Sequence, residues 1–293
     1  KHIEVYSMRL RQHGFTLIEM MISLALGVFI AWLLIDLVVG SSASMNTLKS
    51  HTEMHENGHF LSSKLSKEIR YAGYLGQISP SSTPGSTNYW VCSKGADIGL
   101  DHPVVGKYAI NGSCYADKLV NTDVLALRRA DFEIATTHSD KTRYYLQSRF
   151  RDPSDINGEN YKLAIGDSTF DIDNWINSSG ADIRQFHRKI YYLRDDNVFV
   201  EKEIVADSLG KPSWSDAKPL ADGVENFQVL YGFDTTDDRI ADAYLDGNTA
   251  DIDWENLVSL EFTLLMQAPV RAVSNRVYKQ TIQIINLRLR QPD

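Results

Sequence analysis

Gly14-Phe15-Thr16-Leu17-Ile18-Glu19 opens an apolar run that reaches Val39 and is charged only at Glu19 and Asp36. Read as a helix, the 25 residues from Phe15 to Val39 extend ~37 Å at 1.5 Å per residue. The hydrocarbon core of a bilayer is about 30 Å thick, so the run is long enough to cross one. Arg9 and Arg11 stand just before it, and the next basic residue is Lys49. That asymmetry predicts a cytoplasmic N-terminus and an exported remainder. A cleaved secretory signal has a shorter apolar core and a small-residue cut site after it. Here the run is longer, and the small residue, Gly14, precedes it. A plain signal anchor leaves Glu19 unexplained. A carboxylate inside a membrane helix costs about 2.5–3.5 kcal/mol at the centre on insertion scales, less near an end, and so calls for a functional role.

The motif Gly14 to Glu19, with its short basic leader, resembles the cleavage and N-methylation motif of type IV prepilins. The resemblance implies that a prepilin peptidase cuts after Gly14 and methylates the new amino group of Phe15. Glycine at the cut lets the peptidase approach the backbone closely. The resemblance also implies that Glu19 neutralises the N-terminal ammonium of a neighbouring subunit during assembly. Pairing the two in a dry filament core offsets two desolvation costs together. A start at Met8 gives a leader of the family's usual length, so residues 1–7 read as an upstream extension. The expected organisation is a leader at 1–14, a membrane and filament-core helix at 15–39, an amphipathic continuation at 40–76 and an exported β-rich body at 77–293.

Past Gly40, apolar residues recur at Leu48, Phe60, Leu61, Leu65, Ile69 and Ala72. From Leu61 the steps of four, four and three make one helical face, with Lys64, Lys67, Glu68 and Arg70 opposite. Such a face is built to pack on a sheet, and Gly73, Gly76 and Pro80 close it. Unbroken from Phe15 to Tyr74, the helix would measure ~90 Å. Gly27, Gly40 and Gly58 are the places where it can bend. Ser79 to Ser86 is a loop by composition. Val124–Leu127, Lys189–Leu193, Val198–Val200, Phe227–Tyr231, Leu257–Leu265 and Gln280–Ile285 read as strands. Asp195-Asp196-Asn197 joins the second and third in a hairpin. No strand–helix–strand repeat appears. The expected fold is α+β and pilin-like, a long N-terminal helix packed on an antiparallel sheet, with the middle of the chain enlarging the body.

Asp222-Gly-Val-Glu-Asn-Phe-Gln-Val-Leu-Tyr-Gly-Phe-Asp234 resembles PilW-type minor pilins, as do Val258-Ser-Leu-Glu-Phe-Thr263, Ile284-Ile-Asn-Leu-Arg288 and Leu65–Tyr74. The stretch from Ser79 to Phe186 carries no such likeness. The resemblance implies a low-abundance subunit that joins other minor pilins and the major pilin, primes the filament and supports twitching. Its expected place is the bacterial inner membrane with a periplasmic body, then the pilus, at its tip and next to any tip adhesin. A large minor pseudopilin of a type II secretion system shares the leader, the helix and the enlarged body. A membrane-anchored periplasmic binding protein or enzyme is the alternative of a different class.

The chain has 30 basic and 38 acidic residues, a net charge of −8. Without residues 1–14 it holds 27 basic against 37 acidic, a net of −10. That balance opposes non-specific nucleic-acid binding, which needs clustered cations. Cys92 and Cys114 are too few for a disulfide scaffold and match no metal spacing. Export favours one bridge between them over two buried free thiols. Asp234, Asp237, Asp238, Asp242 and Asp246 form an oxygen-rich stretch, a weak Ca²⁺ candidate whose spacing departs from the EF-hand pattern. A solvated acidic turn is the plainer reading. His51, His55 and His59 share a helical face and are a weaker metal candidate still. Asp171, Asp173, Asp251 and Asp253 are scattered. No nucleophile elbow, phosphate loop or His-Glu-x-x-His is present, and His102, His138 and His187 read as isolated surface or structural residues. Neither catalysis nor a cofactor is expected. Tyr89, Trp90, Trp175 and Trp214 are candidates for subunit contacts or core.

Overall fold

The structure, a computed structural model, describes residues 15–78, 92, 104–107 (backbone alone), 114–150, 160–174, 179–247, 256–267 and 274–285. The leader at 1–14, the loop Ser79–Ser86 and residues Tyr89, Trp90, His102, Trp175, Asp251, Asp253 and Trp254 lie outside the described residues. Helix α1 runs without interruption from Leu17 to Arg70, 54 residues. The chain divides into two compact units at His51 and Thr52.

In the first unit the helix has no protein around it. Its large apolar side chains from Phe15 to Val39 are between 46% and 85% exposed. A helix apolar on all sides and covered by nothing is built for lipid or for other helices.

The second unit begins with the remaining turns of α1. Met54, Gly58, Leu61, Ser62, Leu65, Glu68 and Ile69 form its buried face. Leu48 and Phe60 are 63% and 49% exposed and do not belong to that face. Phe60 is next to Leu61 in sequence, which at 100° per residue turns it away. The helix stops at Arg70 and does not continue to 76. Tyr71–Gly73 form a turn, and Gly73 takes the left-handed backbone, φ 78°, that commonly ends helices. The chain then joins a sheet: Gly73 N–H donates to the Arg128 carbonyl at 2.8 Å, and Ala130 N–H to the Tyr74 carbonyl at 2.6 Å.

Twelve strands are described, β1 Val104–Lys107, β2 Val124–Ala130, β3 Tyr144–Ser148, β4 Tyr161–Ile165, β5 Asp182–Leu193, β6 Phe199–Ala206, β7 Pro212–Trp214, β8 Lys218–Ala221, β9 Val224–Phe233, β10 Ala243–Asp246, β11 Leu257–Met266 and β12 Arg276–Gln283. They form an eight-stranded sheet, β1-β2-β5-β3-β4 with β6 on β5 and with β7 and β8 on β6, and a four-stranded sheet, β10-β9-β11-β12. Every pairing among them is antiparallel. The 12 residues of β5 pair with β2, β3 and β6 along its length. The middle of the chain is therefore not an appendage, because its strands share this sheet with the C-terminal half. The hairpin at Asp195–Asn197 joins β5 to β6, with Asn197 at φ 63°. Strand β12 starts at Arg276 and ends at Gln283, earlier at both ends than the alternation from Gln280 to Ile285 suggests. Arg276, Val277 and Lys279 are exposed because β12 is an outer strand and most of its side chains face solvent.

One apolar cluster joins helix and sheets. Leu61, Leu65, Ile69 and Ala72 meet Leu125 and Leu127 of β2, Tyr191 of β5, Phe227 and Tyr231 of β9, and Leu260, Phe262 and Leu264 of β11. Along β11 the alternation from Leu260 to Met266 sends every second residue into this core, as a half-buried antiparallel strand does. A smaller cluster of Cys114, Tyr115, Val124, Ala126, Ile190, Tyr192 and Val200 packs elsewhere on the large sheet.

Candidate assembly site and its supports

Thr16 and Glu19 cap the start of α1. The Thr16 N–H and hydroxyl donate to Glu19 Oε2 at 2.8 and 2.9 Å, and Glu19 N–H donates to Thr16 Oγ1 at 3.3 Å. This is a reciprocal capping box: a threonine before the first turn and a glutamate three residues on satisfy each other's backbone donors. The carboxylate also stands where the helix dipole favours negative charge. Glu19 and Phe15 are exposed, and no basic residue follows on the helix before Lys49. Lys49 is thirty residues further along, ~45 Å on a helix axis. Nothing on the helix itself neutralises Glu19. Gly14 lies outside the described residues.

Cys92 and Cys114 are joined by a disulfide, with their Cα atoms 5.5 Å apart. Cys114 is buried, and its carbonyl accepts from Lys202 Nζ of β6 at 2.9 Å. That hydrogen bond holds Cys114 to the large sheet, and the bridge ties Cys92 to Cys114.

The acidic stretch is folded around its own backbone. Asp234 accepts N–H groups from Thr236, Asp237 and Arg239, at 3.0, 2.7 and 2.5 Å. Burial alone would raise its pKa, and these donors more than offset that, leaving it below the ordinary carboxylate value. Asp242 accepts from Thr235 and Thr236, and Asp238 from the N–H of Ile240. These aspartates serve as turn caps. Among the described residues no group of three or more His, Cys, Asp or Glu is arranged to hold a metal. Asp171 pairs with Lys162 at 2.6 Å.

His55 and His59 meet β12 instead. His55 contacts Arg276 Nη1 at 2.9 Å and the Tyr278 hydroxyl at 3.1 Å. The rings of His59 and Tyr278 meet edge to face at 5.5 Å. Gly58 makes room for this, because a Cβ there would lie 2.3 Å from the Tyr278 ring. His138 rests against Tyr145 and Phe170. Trp214 is half-buried against the large sheet, beneath the Arg188 guanidinium.

His187 is the residue that sequence reasoning leaves isolated and the fold does not. Its Nδ1 is 2.5 Å from Glu203 and its Nε2 is 3.2 Å from Asp131. Asp131 also takes Arg129 at 2.8 Å, Arg129 takes Glu68 of α1 at 2.8 Å, and Lys189 stands 3.6 Å from Glu68. Burial by itself would raise the Glu68 and Glu203 carboxyls, but Arg129, Lys189 and His187 around Glu68, and His187 beside Glu203, hold both below the usual value. Asp131 is lowered above all by its hydrogen bond with His187. The only hint in the sequence is that Arg129, His187, Lys189 and Glu203 alternate with core residues on strands.

A model of the prokaryotic N-terminal methylation motif matches residues 9–35. The PilW family, type IV pilus-assembly protein W, matches residues 190–293. No curated protein and no solved structure matches the chain significantly. The first match covers the capping box and the exposed apolar turns. The second covers the β5–β6 hairpin and all four strands of the smaller sheet. With a long apolar helix leading into antiparallel sheets between and around these matches, the chain is a type IV prepilin-like, pilus-related protein with PilW similarity over its C-terminal strands.

Proposed function

We propose that this protein is a minor pilin of a type IV pilus, a structural subunit that performs no catalysis. It enters the filament with other minor pilins, helps to prime assembly on the major pilin, and stands at or near the tip, where an adhesin can bind. Its body faces the periplasm while the helix waits in the inner membrane. The carrying observation is the combination of a methylation-motif match on an unpartnered apolar helix with a PilW match on the sheets that helix enters.

The mechanism is mechanical and electrostatic. The peptidase removes residues 1–14 and methylates Phe15. The helix from 15 to 39 leaves lipid and packs among neighbouring helices. Glu19, held in place by Thr16, pairs with the amino group of a neighbouring subunit and sets the register. In a medium of low dielectric such a pair is favourable only when both charges are matched and hydrogen-bonded.

The test is to shear pili from cells, probe for the mature protein, and cross-link it to its neighbours. Recovery in the pilus fraction with other pilins, and loss of twitching in a deletion strain, are expected. Loss of exoprotein secretion with twitching intact would overturn this reading in favour of a pseudopilin. An unrelated anchor that restored function would point to a periplasmic binding protein or enzyme.

A further inference from the structure

The network around His187 occupies the junction between the last turns of α1 and the large sheet. Its members come from four places: Glu68 from the helix, Arg129 from β2 with Asp131 just beyond it, His187 and Lys189 from β5, and Glu203 from β6. A neutral imidazole has one N–H and one lone pair. Here both ring nitrogens face carboxylate oxygens, at 2.5 and 3.2 Å. With both carboxylates ionised, a neutral ring would turn one lone pair towards a carboxylate, so the geometry favours two donors. The charge count agrees. Among the six residues paired with one another, Arg129, Lys189 and a protonated His187 balance Glu68, Asp131 and Glu203, whereas a neutral His187 leaves that set one negative charge in excess. Only 11% of the His187 side chain is exposed, so solvent does little to screen that excess.

We propose that His187 is a structural cation that completes a charge clamp between the end of α1 and the large sheet, and that alkaline medium opens this clamp. The other charged groups near the site are Arg143, which acts on Glu203, and Glu201, which acts with Glu203 and Glu68 on the buried Tyr191 hydroxyl and is itself paired with Lys64 of α1 at 3.0 Å and Lys218 at 3.5 Å. Burial alone would lower the His187 pKa, and the bonds to Asp131 and Glu203 outweigh it, leaving the group raised. A group raised on folding adds stability that is whole below its unfolded value, about 6.5, and fades as pH climbs through the folded one. The exported body meets the pH of the medium, so the clamp responds to conditions outside the cell.

The experiment uses the full chain in detergent micelles. Histidine ring resonances are followed by NMR from pH 5 to 10, and thermal unfolding is recorded at pH 6 and pH 9. The resonance missing in His187→Gln should titrate above ~6.5. The wild type should lose about 2–4 °C or more in Tm between the two pH values, and His187→Gln should lose less. If His187→Gln does not fold, Glu203→Gln serves: it removes one of the two carboxylates and should bring the slowest-titrating, most protected ring down towards the ordinary midpoint. A His187 that titrates at or below the ordinary midpoint, or an equal alkaline loss in wild type and His187→Gln, overturns the proposal. So does a Glu203→Gln variant that leaves every histidine midpoint unchanged.

Discussion

At residue scale the first contacts to consider are those between Thr16 and Glu19. Because Glu19 accepts from the Thr16 backbone and hydroxyl, its carboxylate is oriented towards the first turn before any neighbour arrives. Replacing Glu19 by Ala removes both the cap and the proposed register charge. The expected outcome is a protein still cut by the peptidase but scarce in sheared pili, read by immunoblot of cell and pilus fractions. Gly14→Leu should leave the leader attached, and a shortened band on a gel would contradict that. Gly58 makes a different prediction. A methyl at this position meets the Tyr278 ring at 2.3 and 2.4 Å, and the ring is held by His55 and His59. Overpacking of this kind costs about 1–3 kcal/mol, against any small gain in helix propensity from replacing glycine. Gly58→Ala should therefore lower Tm, and Gly58→Ala combined with Tyr278→Leu should recover part of the loss.

At the scale of elements, α1 and the small sheet are stabilised chiefly by apolar burial. Leu65 is fully buried among residues of both sheets. Leu65→Ala should cost about 2–5 kcal/mol, measured by urea unfolding of the full chain in micelles. The Cys92–Cys114 bridge closes a separation of 22 residues and should be worth ~2–4 kcal/mol, chiefly through the unfolded chain. The double serine variant should unfold at correspondingly lower urea. Much of this scale is legible in sequence. Leu61, Leu65, Ile69 and Ala72 fall on one helical face by spacing alone, and all four are fully buried. Strands β9 and β11 declare themselves by alternation. The start of β12 does not, because Arg276 and Lys279 on an outer strand look like loop residues. The site divides in the same way. Thr16 and Glu19 have the three-residue spacing of a capping box, a local signal that the reading of Glu19 as an assembly residue passed over. Glu68, Asp131, His187 and Glu203 are brought together by the packing of α1 on the sheet and by the order of its strands, which the alternation along each strand hints at and does not specify.

At the scale of the whole molecule, charge governs the response to pH. Glu68, Asp131 and Glu203 all have carboxyls lowered on folding. Each adds stability that is present above its unfolded value, near 4, and is lost as pH falls through the lower folded value. Asp123 acts in the opposite sense: burial raises its carboxyl despite its bond from the Val229 N–H, so acid relieves it. Asp234 and Asp242 are lowered as well, so the lowered carboxyls outweigh Asp123 and Tm should fall between pH 5 and pH 2. Unchanged melting across that range would contradict the importance given to the clamp.

The order of the chain adds a constraint. The face of α1 from Met54 to Ile69 is covered by strands that lie near the other end of the sequence, down to Ile282 and Ile284. Strands β2 and β5 supply part of that cover, but the stripe is not closed until more than two hundred further residues have been synthesised. Contacts so distant along a polypeptide form slowly. A chain cut short before Arg276 would lack Tyr278, Ile282 and Ile284 and leave part of that seam open, so it should be cleaved by added protease faster than the full chain.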